Sequence, residues 1–102
     1  RNQEKLETIA AQCRAMGAEV LVVVADMGNP EQATALAEKA LLQFGQVDAL
    51  VNNAGYGQMG PVELVPIAAC QNQFAVNVLG PLALTQALIP AMRDRGGGRI
   101  IN

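Results

Sequence analysis

One stretch, Asp48-Ala49-Leu50-Val51-Asn52-Asn53-Ala54-Gly55, limits the folds open to this chain more than any other. A short apolar run ends abruptly in two amides, a methyl and a glycine. The pattern predicts a buried parallel strand whose C-terminal tip opens into a loop. In open α/β sheets, ligands occupy the crevice beyond the carboxyl ends of the strands. Two Asn side chains at such a tip offer donors and acceptors to the loop, to neighbouring strand ends and to a ligand. Gly55 permits close backbone approach or a positive φ. Read by itself, the tetrapeptide Asn52–Gly55 is equally an Asn-rich turn, since Asn and Gly dominate turns for local reasons.

The flanking chain supports the strand reading. Asn2 is a plausible N-cap for a helix whose stripe is Leu6, Ile9, Ala10, Cys13 and Met16, closed by Gly17. Val20 to Val24 is a continuous β-branched and Leu run, too short for a helix, and predicts a strand buried on both faces. Asp26 lies just beyond it. Asn29-Pro30 reads as N-cap plus first helical residue, with Glu31 in the first turn. Ala33, Leu36, Ala37, Ala40, Leu41 and Phe44 form an apolar face, and Gly45 ends that helix. The strand Val47–Asn52 follows, then a loop from Tyr56 to Pro61. A long helical region over 66–93 stops at Gly96-Gly97-Gly98, and Arg99–Asn102 begins another strand. Helix and strand alternate without repeats, which argues for a parallel sheet joined by right-handed crossovers.

Composition narrows the function. The 102 residues are 51% hydrophobic and only 3% aromatic, so Ala, Val and Leu must fill the core, as helices packed on a parallel sheet require. The net charge of −2 and the lack of a Lys/Arg run give no footing for nucleic acid or an anionic membrane. No apolar stretch is convincing as a membrane span. With no His in the chain, His-dependent triads and His-ligated metals are excluded. Cys13 and Cys70 make no metal-binding spacing and read as reduced thiols of a cytosolic protein.

Two further positions invite a functional reading. Asp26 at a strand tip has the geometry to meet a ligand, and equally that of a turn former. Asn77 sits in the apolar helical stretch Phe74-Ala75-Val76-Asn77-Val78-Leu79-Gly80-Pro81. Pro81 has no N–H to donate to the carbonyl of Asn77, four residues back. The expectation is a kink, a free carbonyl and a buried amide, which together suit an ordered water. A Pro kink with an incidental Asn fits the same residues.

Asp26, Asn52-Asn53-Ala54-Gly55, Asn77-Val78-Leu79-Gly80 and Gly98-Arg99-Ile100-Ile101-Asn102 together resemble the short-chain dehydrogenase/reductase family. The resemblance covers the whole chain. The spacing is specific: Asn77 follows the Asn-Asn-Ala-Gly motif after 21 intervening residues. It implies an α/β fold, a doubly wound parallel Rossmann sheet with three αβα layers in the parent, of which residues 1–102 are the central part of one NAD(P)-binding domain, truncated at both ends. By resemblance, Asp26 matches the acidic residue at the adenine ring and Met27 the neighbour whose backbone lies there. Asn53, Ala54 and Gly55 match the loop along the adenosine ribose, while Asn52 braces the sheet. Asn77 matches the Asn of the catalytic tetrad, whose main-chain carbonyl holds a water leading to the active-site lysine. Arg1 would meet the 2′-phosphate of NADP, which favours NADP over NAD as cofactor.

The same resemblance makes the chain an internal fragment. It begins at Arg1 and stops in mid-strand, and the phosphate-binding T-G-x-x-x-G-x-G turn, the Ser and the Y-x-x-x-K of the family are not in it. The parent is expected to move hydride between a nicotinamide and a small-molecule carbonyl or secondary alcohol, and the fragment alone to be inactive. A non-catalytic NAD(P)-binding regulatory member of the same fold is the second reading. A segment that only mediates interactions through its long helix is the third. The resemblance further implies a homodimer or homotetramer through the helix 66–93, and the cysteine usage a cytoplasmic location. In the order 3-2-1-4-5, the strand at Val20 is third and that at Val47 fourth, so native positions leave a gap of roughly 14 Å between them. Either those two strands pair directly, or two apolar edges stay open and the chain is marginal in isolation.

Overall fold

The computed structural model describes residues 2–102. The order is α1 (Gln3–Ala15), α2 (Pro30–Phe44), β1 (Ala49–Val51), α3 (Ile67–Phe74), a π-turn (Ala75–Leu79), α4 (Gly80–Asp94) and β2 (Arg99–Ile101). The fold is α/β, with a two-stranded parallel sheet in register Ala49↔Arg99, Leu50↔Ile100, Val51↔Ile101.

The caps follow from local chemistry. Asn2 accepts from the Lys5 N–H at 3.0 Å and Asn29 from the Gln32 N–H at 3.1 Å. Each supplies an acceptor to an orphan donor of a first turn. Gly17, at φ +92°, closes α1: its own N–H reaches the Arg14 carbonyl and the Ala18 N–H the Cys13 carbonyl. That pair of bonds is the Schellman arrangement. Asn29→Ala should cost about 1 kcal/mol of stability in chemical denaturation, because one donor of α2 loses its partner.

The core lies between α2, α4 and β1. Ala33 and Ala37 give α2 a smooth, fully buried face, and Leu84, Leu88 and Met92 of α4 pack into it over Leu50. The alternation of small and large residues lets the two helices approach closely. At the far end, Arg95 joins Asp48 at 2.7 Å and donates to the Gly97 carbonyl at 2.9 Å, tying the starts of β1 and β2 together. The pair is solvent-exposed, so Asp48→Ala should change stability by no more than about 1 kcal/mol.

Several expectations need correction or resolution. The segment Val20–Val24 has no ladder hydrogen bonds and is not a strand. It does not pair with β1 either: a cleft of about 240 Å³, lined by Val23, Ala25 and Met27 on one side and by Val51, Asn52, Asn53 and Ala54 on the other, separates the two. Both edges of that cleft are the open apolar edges that the doubly wound order implies. The strands are also not covered on both faces, for Val51 is 60% and Ile101 52% exposed. The stripe of α1 is covered only in part, with Ala10 buried and Ile9 and Met16 exposed. The Cα radius of gyration, 15.6 Å, exceeds the roughly 13 Å of a compact domain of this length, as the open cleft requires.

The continuous helical run Ile67–Asp94 has 28 residues and is long and apolar enough to cross a membrane by length and composition alone. A core helix meets the same criterion. Here Leu84, Leu88 and Met92 are buried against the α2–β1 layer.

Candidate functional site

Three backbone features converge at the carboxyl ends of the chain's extended segments. They are the loop Asp26–Gly28, the loop Asn52–Tyr56 beyond β1, and the π-turn between α3 and α4.

The π-turn is the structural answer to Pro81. With no N–H at residue 81, the α-helical bond to Asn77 cannot form. The helix widens instead: Gly80 donates to the carbonyl of Ala75, five residues back. π-bulges of this kind concentrate at functional sites. The Asn77 side chain is exposed, contrary to the expectation of a buried amide, because its side of the turn faces the open crevice. Both ends of the amide are nevertheless partnered. Its Oδ1 accepts from the Tyr56 N–H at 3.0 Å, and its Nδ2 donates to the Tyr56 carbonyl at 2.7 Å. One amide thus reads both backbone groups of a single residue, as a neighbouring strand would. A Cβ on Gly55 would lie 3.1 Å from that Oδ1, so the glycine gives the amide room to dock.

Asn52 braces the sheet. Its N–H donates to the Ile101 carbonyl at 2.8 Å, and its Nδ2 donates to Asn102 Oδ1 at 2.9 Å and Thr85 Oγ1 at 3.3 Å. Its Oδ1 is buried without a hydrogen-bond partner among the described residues. Asn53, Ala54 and Gly55 are exposed.

Asp26 shapes its own loop. Oδ1 accepts from the Gly28 N–H at 2.9 Å and the carbonyl from the Asn29 N–H at 3.0 Å, while its N–H donates to Gln32 Oε1 at 2.8 Å. The loop is therefore fixed to the first turn of α2. Met27 lines the 240 Å³ cleft together with Asn52, Asn53, Ala54 and Pro81. Asn77 lines a second cleft, of about 400 Å³, with Asn52, Ala54, Thr85 and Asn102. The two clefts share Asn52, Ala54 and Pro81, so Met27 and Asn53 on one side and Asn77 on the other flank the same strand tip, while Asp26 lines a third cleft, of about 340 Å³, with Gly28, Tyr56, Asn72 and Val76. Arg1 lies outside the described residues.

Thr85, a lone hydroxyl on an apolar helix, gives no signal in the sequence. Gly80 stands in the Asn77-Val78-Leu79-Gly80 motif, which gives no hint of what the glycine touches.

Clefts at strand tips, flanked by an Asn-Asn-Ala-Gly loop and an Asn on a π-turn, lie where open α/β folds place their ligands. The family model described as short chain dehydrogenase matches residues 1–102, and the chain belongs to that family. It is 34% identical over 102 residues to a ketoacyl reductase, HetN, of Nostoc sp., covering 100% of this chain and 36% of that protein. It is 38% identical over 102 residues to human retinol dehydrogenase 8, covering 99% of this chain and 32% of that protein. The chain thus spans about a third of the length of the curated relatives it matches. Among solved structures, a metagenomic short-chain oxidoreductase in complex with NADP superposes with a TM-score of 0.94 at 35% identity, over 100% of this chain and 47% of that one. L-Sorbose reductase from Gluconobacter frateurii, complexed with NADPH and L-sorbose, gives 0.92 at 34% identity, over 98% and 38%. The fold is that of the corresponding part of these Rossmann proteins.

Proposed function

We propose that the protein containing this chain is an NADP(H)-dependent oxidoreductase acting on a carbonyl or secondary alcohol. The observation that carries the reading is the meeting at one strand tip of two clefts, one lined by Met27, Asn53 and Ala54 and the other by Ala54 and Asn77. The residues suit an extended dinucleotide. The exposed Asn53–Gly55 backbone and the Asn53 amide offer donors and acceptors along a ribose, and Met27 supplies an apolar contact for a flat base. When bound, the coenzyme supplies the hydride.

Asn77 has two tasks in this reading. Its side chain holds the Tyr56 backbone and so fixes the loop that flanks the crevice. Its carbonyl, deprived of a donor by Pro81, is placed to hold a water that passes a proton toward solvent. The other members of the family's proton-transfer set, a Ser and the Tyr and Lys of Y-x-x-x-K, are not among these 102 residues, so turnover by this stretch alone is not expected. NADP is preferred over NAD because Arg1 suits a 2′-phosphate and because two similar structures hold NADP or NADPH. The exposed Phe74, Val78, Leu79 and Leu82 of the long helix support subunit packing into a homodimer or homotetramer.

The test is hydride transfer by the full-length protein, followed by nicotinamide absorbance against a panel of aldehydes, ketones and secondary alcohols. Turnover with NADPH or NADP is expected, with lower efficiency for NADH or NAD. No turnover and no dinucleotide binding would remove the reading. Equal efficiency with both coenzymes would remove the NADP preference alone.

A further inference from the structure

We propose that Gly80 is a positioning residue that sets where the coenzyme's adenosine end is held, through its contact with the backbone of Met27. The proposal rests on the coenzyme reading above.

The backbone of Gly80 is ordinary helix, at φ −61° and ψ −54°, so its conformation does not call for glycine. Its surroundings do. Gly80 is buried, and a Cβ built there would fall onto the Met27 carbonyl oxygen and lie 2.9 Å from the Met27 carbonyl carbon. Both atoms are main chain, so no rotamer change makes room. The contact is possible only while residue 80 lacks a side chain.

The contact joins two units that are each stiff. Loop Asp26–Gly28 is tied to α2 by the Asp26–Gln32 and Asp26–Asn29 hydrogen bonds and closed by Asp26 on Gly28. The π-turn is tied to the crevice loop by Asn77 on Tyr56. Gly28 faces the same turn: a Cβ there would sit 3.3 Å from Val76 Cγ2, and 3.2 Å from Asp26 Oδ1 of its own loop. The loop thus leans on the π-turn at two points, Gly80 and Gly28. These contacts fix the distance between Met27, at the adenosine end, and Asn77, at the reacting end. A methyl at residue 80 must drive the loop off the turn by an amount of the order of 1 Å, because carbon atoms in contact need 3.5–4.0 Å. The displacement separates the loop from the turn, although Met27 packs against the same core that holds Leu84 and Leu88 of α4.

The experiment uses the full-length protein and two probes, ADP-ribose and its 2′-phosphate, with dissociation constants measured by calorimetry. Gly80→Ala should weaken the tighter-binding probe about tenfold, in line with the sensitivity of positioned contacts to displacements of this size. The coenzyme KM should rise in parallel, while kcat at saturating coenzyme stays within about threefold, since the displaced loop lies at the adenosine end and not at the reacting end. A general loss of structure would lower kcat as well. Gly28→Ala, a milder push that meets both Val76 and Asp26 Oδ1, should weaken the probe about threefold, and adding Val76→Ala should recover part of that loss by removing the opposing methyl groups. This pair decides the matter if Gly80→Ala does not fold. An unchanged probe affinity in Gly80→Ala, or in Gly28→Ala when that is the variant available, overturns the proposal, as does a weakening that Val76→Ala does not rescue. Wild-type protein that binds neither probe removes the coenzyme reading and this inference with it. Wild-type binding with unaffected variants removes this inference alone.

Discussion

Asn77→Leu is expected to lower kcat/KM of the full-length protein by about 100-fold, the scale on which misplaced catalytic geometry acts. The substitution deletes both bonds to Tyr56, at 3.0 Å and 2.7 Å. It thereby releases the Tyr56 loop from the turn that carries the Asn77 carbonyl. Stability should fall far less, by about 1–2 kcal/mol, because the Tyr56 groups are exposed and water replaces the lost partner. Asn77→Asp separates the two bonds. The carboxylate keeps an acceptor for the Tyr56 N–H but sets a second oxygen against the Tyr56 carbonyl. Repulsion there favours the protonated acid, which can still donate. Activity of this variant should therefore recover as pH falls and be lost as pH rises, opposite to a simple requirement for negative charge. Asn77→Leu with kcat/KM within threefold of wild type would refute the role given to this side chain.

The second large effect lies in the core. Leu88 is 2% exposed and is packed between Ala33, Ala37, Leu50, Leu84 and Met92. Leu88→Ala should cost about 3 kcal/mol, the sum of lost apolar transfer and the cavity left behind. In a protein of the relatives' size that corresponds to a fall of roughly 6–12 °C in the unfolding midpoint. Leu42, 89% exposed on the outer side of α2, serves as the control, and Leu42→Ala should change stability by less than about 0.5 kcal/mol. Equal effects at the two positions would mean that α2 and α4 do not pack as described.

The contrast between Leu88 and Leu42 shows what the sequence makes readable. Period fixes which face of a helix is apolar, and the caps at Asn2 and Asn29 and the stops at Gly17 and Gly45 follow from one or two residues each. The Asn-Asn-Ala-Gly loop beyond β1 was readable for the same reason, since strand, tip and loop are contiguous. Val20–Val24 was not, because a strand exists only by virtue of its neighbour, and β1 is not that neighbour. Its five residues specify an apolar edge but not a partner. Asn77 shows the same limit. The absent N–H of Pro81 predicts that the helix must break its pattern, while the choice of a π-turn and the reach to Tyr56 depend on residues far away in sequence. Gly80 is the extreme case. Its role comes from Met27, on another element, and no local pattern announces it.

The most direct test of the coenzyme reading is a crystal structure of the full-length protein with NADP bound. The account predicts the adenine beside Asp26 and Met27, the adjacent ribose along Asn53, Ala54 and Gly55, and the nicotinamide on the side of Asn77, with the Asn77 side chain still on Tyr56. A dinucleotide seated elsewhere, or one that touches the Asn52–Gly55 loop but runs away from Asn77, would contradict it.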